Sequence, residues 1–424
     1  MSESRLHEGP ATAGAPPQSA EVSLNLLFCC PDLPYPLDSG LKVRVFNLGR
    51  ELARRHQVHL ACLSRSAPDS VAVAAIEAAG MSVTPIGKPA VSLKNKLLTY
   101  AGRLAAGVPL PYILSWEKAI FAELSRLAAG QNFDMVIAEH LFMARFVLGL
   151  NPRKVITEHN VEGQLESQLA AAAPLPGRWL KQAEAAWISA YERKLVRSFA
   201  RVIAVSEADR RALARMVPGV PIALVGNGVD CGRFRDLFAA PRTPEPRFLF
   251  LGLMSYEPNA EAALWFVREI LPGIRSRFPA AAVTVAGAQP PGPVRALDNG
   301  ESVRVTGAVA DVLPYYQQNS VMVVPLRQGG GSRLKILEAF AAGMPVVSTS
   351  KGAEGLEVED GVQLLIADRP ADFAAAVGRL LEDRELYAGL RRNARRLVED
   401  RYDWPILAAE LERVLNRLKQ GPRA

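Results

Sequence analysis

The sequence predicts an α/β protein built from two doubly wound parallel sheets. Short apolar or β-branched runs alternate with amphipathic helical stretches along almost the whole chain, which is the pattern of βαβ units. At 424 residues the chain is too long for one ordinary core, so two domains are expected. The rhythm breaks at VGNGVDCGRF and PRTPEPRF, where turn and proline signals indicate a hinge near Asn227–Asp230.

The predicted elements divide the chain into four parts. Residues 1–20 carry acids and prolines but no apolar segment, and predict a disordered tail, not a signal peptide. Residues 21–225 form the first domain, with strands in VSLNLLFCC, QVHLACL, MVIAEH, KVITEH and RVIAVS. Residues 226–403 form the second, with strands in RFLFLGL, AAVTVAG, VRVTGAV, VMVVPL and PVVSTS. Residues 404–424 predict a final helix that packs back on the body, with Pro405 in its first turn.

The composition limits the classes of function. A net charge of +7 and a pI near 9.3 fit a polyanionic ligand, but no zinc finger or aromatic RNA-binding motif indicates nucleic acid. The four cysteines lack metal-ligand spacing, so reduced buried thiols are expected. No run is long enough to cross a bilayer, and we expect a cytoplasmic protein.

The stretch GGGSRLKILEAFAAGMPVV predicts an anion site at a helix start. Glycines let the backbone approach a ligand, and the free N–H groups of the following helix favour negative charge. Ser332, Lys335 and Glu338 share one helix face, and Arg333 and Lys335 suit phosphate oxygens. Glu338 lies about 9 Å beyond Ser332 along the axis, the separation of a diphosphate and its ribose. A tight turn beside a solvated Lys335–Glu338 pair is the alternative.

Two other phosphate-binding motifs do not occur in the sequence. There is no GxxxxGK[ST] sequence for a P-loop, and no GxGxxG follows the first strand, which argues against NAD.

The longer stretch VADVLPYYQQNSVMVVPLRQGGGSRLKILEAFAAGMPVVSTSKGAEG resembles the donor-binding half of GT4-type glycosyltransferases of the GT-B fold. FLGLMSYEPNAEAALWFVREILP resembles that half too, and PDLPYPLDSGLKVRVFNLGREL and VGNGVD follow in the family's order. The resemblance implies two Rossmann-like domains facing a central cleft. It also implies transfer of a sugar from a nucleotide diphosphate sugar, with retention and without a bound metal or other cofactor. Polysaccharide or glycolipid synthesis is the expected setting.

Two departures from the family pattern bear on the donor. Many members carry two Glu separated by seven residues; Glu338 matches the second, but Gly330 stands at the first. LGLMSYEPN also lacks the Arg and Lys that many members have after the first strand of this domain. We interpret GGGSRLKILEA as a subgroup motif in which Arg333 and Lys335 neutralise the diphosphate, with Gly330, Gly331 and Ser332 binding it through the backbone.

The edge of the first sheet that faces the donor carries the remaining candidate residues. By the resemblance, Gly40 approaches the donor phosphates, although a helix-entry turn capped by Asp38 or Ser39 also explains this glycine. AEH and TEHN each place a histidine at a strand end, and neutral imidazoles can hydrogen-bond sugar hydroxyls or phosphate. The resemblance assigns His140 to the reacting end of the sugar. His159 and Asn160 are expected to shape the acceptor pocket or the domain interface. Glu139 and Glu158 are further candidates, either as general bases or as solvated strand ends.

The implied reaction needs few catalytic side chains. Positive groups and helix dipoles aimed at the leaving diphosphate stabilise the developing charge, and domain closure excludes water. Two alternatives stay open: a nucleotide-sugar epimerase of similar fold, and an inactive nucleotide-sugar-binding or scaffold protein.

The segment SLKNKLLTYAGRLAAGVPLPYILSW mixes cations with apolar residues. Such a basic amphipathic segment is typical of peripheral contact with an anionic membrane at its inner face, where lipid-linked acceptors lie. A helix that covers the first sheet has the same pattern, and is the other interpretation.

Overall fold

The computed structural model describes residues 23–64, 69–172, 174–329 and 333–421, and within them two parallel sheets account for the strands. The first sheet has seven strands in the order β3-β2-β1-β4-β5-β6-β7. These are β1 (Asn25–Cys30), β2 (Gln57–Ser64), β3 (Ser82–Gly87), β4 (Met135–Glu139), β5 (Arg153–Glu158), β6 (Arg201–Ala204) and β7 (Ile222–Leu224). The second has six strands in the order β10-β9-β8-β11-β12-β13. These are β8 (Arg247–Leu251), β9 (Ala282–Ala286), β10 (Val303–Gly307), β11 (Val321–Val324), β12 (Val346–Ser348) and β13 (Leu365–Ile366).

Helices cover both faces of each sheet. Those around the first sheet are α1 (Gly40–Ala53), α2 (Ser70–Ala78), α3 (Leu93–Ala105), α4 (Glu117–Gly130), α5 (Leu141–Val147), α6 (Glu162–Ala172), α7 (Arg178–Val196) and α8 (Glu207–Met216). Those that follow are α9 (Arg235–Ala239), α10 (Glu257–Trp265), α11 (Leu271–Arg277), α12 (Gly292–Arg295), α13 (Leu313–Gln318), α14 (Leu334–Ala341), α15 (Ser350–Ala353), α16 (Pro370–Glu382), α17 (Arg384–Arg401) and α18 (Trp404–Gln420). A 3₁₀ turn at Leu110–Tyr112 and a π-helical turn at Phe266–Ile270 complete the list.

All strands are parallel, but in each sheet the order in which the chain adds strands reverses at the centre, between β1 and β4 and between β8 and β11. Side chains alternate across the first sheet: Leu27 and Cys29 pack in one core, and Leu26 and Phe28 in the core on the opposite face. A single core surrounds the second sheet. Because ligands of such sheets bind beyond the carboxyl ends of the strands at these reversal points, the fold puts a site where the two edges meet.

The last helix, α18, packs on the first sheet after the chain has completed the second. Asp403 caps it, and Trp404, Leu407 and Leu411 join the core beside α1. The chain connects the two halves twice, once near Val229 and once near Tyr402. These two connecting segments contact each other, since the N–H of Val229 donates to the carbonyl of Tyr402 at 2.9 Å.

The basic segment 92–116 divides into two parts. Helix α3 contains no buried residue, and Leu93, Leu97, Leu98 and Leu104 are all exposed, although Tyr100 packs against the first sheet's core. After the helix, Val108, Tyr112, Ile113 and Trp116 are buried in that core and cover the sheet. No helix in the described ranges is long and apolar enough to cross a membrane.

Candidate active site

An open cavity separates the carboxyl edges of the two sheets. The first sheet contributes the segments after β5 and β6, among them Asn160, Gln164 and Asp209. The second half contributes Arg333 and Leu337 at the start of α14 and Lys351 in α15. The cavity is therefore lined by polar groups on one side and by two cations, paired with the carboxylate of Glu354, on the other.

Arg333 forms the cationic side of this cavity. It is nearly buried at the start of α14, where its Nη2 donates to the carbonyl of Lys351 at 2.9 Å and to that of Gly329 at 3.3 Å. Glu354 lies 3.9 Å away. Burial lowers the pKa of this guanidinium, although Arg remains charged at neutral pH. The predicted cation is thus held at the helix start and borders the open space.

Lys335 lies in the first turn of α14 and contacts one residue of β8 and one of α10. Its Nζ donates to Oδ1 of Asn259 at 2.9 Å and lies 4.8 Å from the centre of the Phe250 ring. Burial, reinforced by Arg333, lowers the pKa of Lys335 to about 7. Because this ammonium is poorly solvated, an anion that binds in the site stabilises its charged form strongly.

Glu338 accepts a hydrogen bond from a buried tyrosine. The hydroxyl of Tyr316 donates to its Oε2 at 2.9 Å. Burial raises the pKa of Glu338, while the hydrogen bond from Tyr316 and the charges of Arg233 and Lys335 oppose that rise. Lys335 and Glu338 have separate partners and do not form the solvated surface pair considered above.

The glycine-rich turn before α14 falls partly outside the described residues. Gly330, Gly331 and Ser332 are outside the described residues, so their predicted phosphate contacts stay predictions. Gly329, just before them, has φ of 95°, and a Cβ at this position would come within 2.9 Å of the Tyr256 hydroxyl. Only glycine fits this conformation and this close approach.

His140 begins α5 in a conformation rare for a side-chain-bearing residue, with φ of 87°. Its Nδ1 accepts from the N–H of Phe142 at 3.1 Å, so its Nε2 carries the proton and donates to Glu162 at 3.1 Å. The side chain keeps partial exposure, with 25% of its surface accessible. Strained backbone positions of this kind concentrate at functional sites, which agrees with a functional role for His140.

His159 lies beside His140, with the ring centres 6.2 Å apart. Its Nε2 is 2.9 Å from Oε2 of Glu139, whose Oε1 accepts from the hydroxyl of Thr157 at 3.1 Å. Burial lowers the pKa of His159, so the ring is neutral at pH 7 and donates to Glu139. Both carboxylate oxygens of Glu139 thus have a donor, which fits a positioning role for this residue better than that of a free base.

The structure brings the remaining predicted residues to the same edge. Gly40 is the first residue of α1, and the Ser39 hydroxyl caps the helix by accepting from the N–H of Lys42. Asn160 lines the cavity after β5. Among the described residues no cluster of His, Cys, Asp and Glu has the arrangement of a metal site.

Three further residues shape the site although sequence reasoning did not select them. Tyr316 and Asn259 hold Glu338 and Lys335, as described above. Arg44, buried in α1, donates to the carbonyl of Gly226 and to Oδ1 of Asn227 at 3.2 Å, and so ties the first sheet to the linker. A charged residue inside an apolar helix face is the signal that could have selected Arg44.

Glu158, the second carboxylate considered at these strand ends, is fully buried and therefore is not a solvated strand end. Within the described ranges neither of its oxygens has a hydrogen-bond partner.

Comparison with known proteins agrees with this architecture. A profile described as Glycosyltransferase Family 4 matches residues 39–233, and one described as Glycosyl transferases group 1 matches residues 245–383. Sucrose-phosphate synthase from Thermosynechococcus elongatus has a similar structure, with a TM-score of 0.68, 18% identity and coverage of 93% of this chain and 99% of that one. The Anabaena protein HepE, solved with UDP and glucose, gives a TM-score of 0.66 at 15% identity, with coverage of 93% and 100%.

Glycogen synthase from Mycobacterium tuberculosis is 27% identical over 258 residues. That match covers 58% of this chain and 61% of the relative, so it spans less than two thirds of the relative's length.

The two facing parallel sheets define the GT-B fold. Since each half of the chain also matches its own profile, the chain belongs with the GT4-type glycosyltransferases.

Proposed function

We propose that the protein transfers a sugar from a nucleotide diphosphate sugar to an acceptor hydroxyl with retention of configuration, in the synthesis of a polysaccharide or glycolipid. The observation that carries the proposal is the cavity between the sheets, with Arg333 and Lys351 on one side and Asn160 and Asp209 on the other. The UDP and glucose in the HepE structure support a nucleotide-sugar donor.

The donor occupies the second half in this proposal. Its diphosphate lies at the α14 start, where Arg333, Lys335 and the helix N–H groups carry the charge that develops on the leaving group. Because side chains carry that charge, we propose that the reaction needs no bound metal. The Glu338 carboxylate accepts from a ribose hydroxyl, while its Oε2 stays bonded to Tyr316.

The sugar lies between the two halves, with its reacting carbon towards His140. The bond between this carbon and the diphosphate oxygen breaks, and a bond to the acceptor oxygen forms on the same face. The acceptor's proton passes to the leaving diphosphate. His140 donates to a sugar hydroxyl from Nε2 in place of its present bond to Glu162, and Asn160 holds the acceptor.

Calorimetric titration with UDP, GDP and ADP tests the donor site. We expect one nucleotide to bind the wild-type protein, and binding to be lost in Glu338→Ala. Ala341→Gly, on the same helix, is the control for a general loss of α14 structure. If no nucleotide binds, the donor site is wrong.

Product analysis with the matching sugar donor tests the reaction. A new glycoside with the donor's anomeric configuration, formed in the presence of a chelator, is the expected result. An inverted glycoside or dependence on a metal would contradict the mechanism. An epimerised donor would indicate an isomerase, and unchanged donor a binding protein.

A further inference from the structure

The first half of the chain exposes an apolar surface outside the cleft, formed by α3 and the end of the α6–α7 pair. On α3, Leu97 and Leu98 are 63% and 61% exposed. At the start of α7, Trp179 and Leu180 are 73% and 78% exposed. We call this set, with Leu93 and Leu175, the apolar surface. Large side chains in such numbers on one region of a protein mark an interaction site.

Helix α7 contacts the chain that follows α3. The indole N–H of Trp187 on α7 donates to the carbonyl of Gly107, just after α3, at 3.0 Å. The Tyr112 and Tyr191 rings, which follow α3 and lie on α7, pack 5.5 Å apart. These contacts tie the end of α3 to α7 within the same half.

The charges on α3 have one sign. Between residues 88 and 116 the chain has no Asp or Glu, but it carries Lys88, Lys94 and Lys96. Its Arg103 is paired with the buried Glu117, and the α6–α7 pair carries charges of both signs. Lys94 and Lys96 are exposed between the leucines of α3, and Lys181 is exposed beside Leu180. An apolar stripe bordered by cations is complementary to anionic lipid headgroups above an acyl layer. Tryptophan is also favoured at that boundary.

We propose that the apolar surface binds an anionic phospholipid bilayer, with α3 and the start of α7 lying in the headgroup region. Helix α6, which precedes α7 in the chain, lines the cavity through Gln164 and Gln168 and exposes Leu169. In this proposal an acceptor anchored in the bilayer reaches the site past α6. This last step depends on the proposed transferase function, but the binding of lipid does not.

Sedimentation with vesicles of phosphatidylcholine, with and without phosphatidylglycerol, tests the surface. We expect binding only to the anionic vesicles, and weaker binding at about 500 mM salt than at about 50 mM. Lys94→Gln with Lys96→Gln should weaken binding about 30-fold at low salt, since each basic residue near such a surface contributes about 1 kcal/mol, or roughly fivefold. Leu97→Ser with Leu98→Ser should weaken it at least tenfold.

Matched controls lie far from the surface in the sequence. Arg384→Gln with Arg392→Gln removes the same charge from α17, and Val71→Ser with Ile406→Ser removes exposed apolar groups from α2 and α18. Both should bind vesicles like the wild type.

Three outcomes would overturn the proposal: binding to neutral vesicles alone, no binding at all, or equal losses in surface and control variants. A dimer in solution that Leu97→Ser with Leu98→Ser dissociates would assign the surface to a second copy of the chain instead. Because the vesicles contain no donor or acceptor, loss of nucleotide binding in the calorimetric test would leave this result standing.

Discussion

We predict that Lys335 makes donor binding depend on pH in a range where a lysine normally does not titrate. Burial and Arg333 lower its pKa to about 7, whereas an exposed lysine titrates near 10.4. If the ammonium form binds the diphosphate, affinity falls as pH rises above 7. The protonated fraction drops from about one half at pH 7 to about one hundredth at pH 9, so the Kd should rise by roughly 50-fold.

Calorimetry at pH 7, 8 and 9 measures this effect, and the range avoids the titration of the terminal phosphate near pH 6. At pH 7, titrations in two buffers of different ionisation enthalpy should show uptake of about half a proton per nucleotide bound. Lys335→Met keeps the length of the side chain and should bind weakly, with a Kd that does not change between pH 7 and 9. A flat profile in the wild type, or the same slope in Lys335→Met, would refute the assignment to Lys335.

Three further predictions concern the other buried groups. Tyr316→Phe should weaken nucleotide binding about fivefold in the same titrations, because Glu338 loses a hydrogen bond worth about 1 kcal/mol; unchanged affinity would separate Glu338 from the donor. Burial and the nearby Glu192 raise the pKa of Glu158, so this group's contribution to stability is lost as pH rises above its unfolded pKa of about 4.3. Glu158→Gln should therefore raise the urea midpoint at pH 8 but not at pH 4, and a gain that is equal at both would contradict this. Trp404→Ala should lower the free energy of unfolding by about 3–5 kcal/mol in urea, whereas the exposed Trp179→Ala should change it little; equal losses would show that α18 is not part of the core.

The sequence predicted the fold well because the fold depends on repeated local patterns. Apolar runs such as VMVVP become buried parallel strands, and the β11 and β12 strands on either side of α14 follow directly from that rhythm. Arg333 and the two histidines could be selected because they lie at helix starts or strand ends, where ligands of such sheets bind.

The contacts that position these groups were not predictable in the same way. Tyr316 reaches Glu338 from 22 residues earlier in the chain, and Asn259 reaches Lys335 from 76 residues earlier. Neither pair has a local pattern, since only the packed sheet brings them together. The position of α3 was undecided for a different reason: amphipathic spacing is the same for a helix that packs on a sheet and for one that lies exposed.

The return of α18 to the first sheet restricts how the two halves can move. The chain passes between them twice, and the passages are bonded to each other at Val229 and Tyr402 and at Cys231 and Asp403. The two halves can rotate about an axis that passes through both linking segments. A twist of one linking segment against the other would break the hydrogen bonds between them. Opening to admit a donor should therefore follow one rotational path, and each change of dihedral angle near Asn227 must be matched near Tyr402.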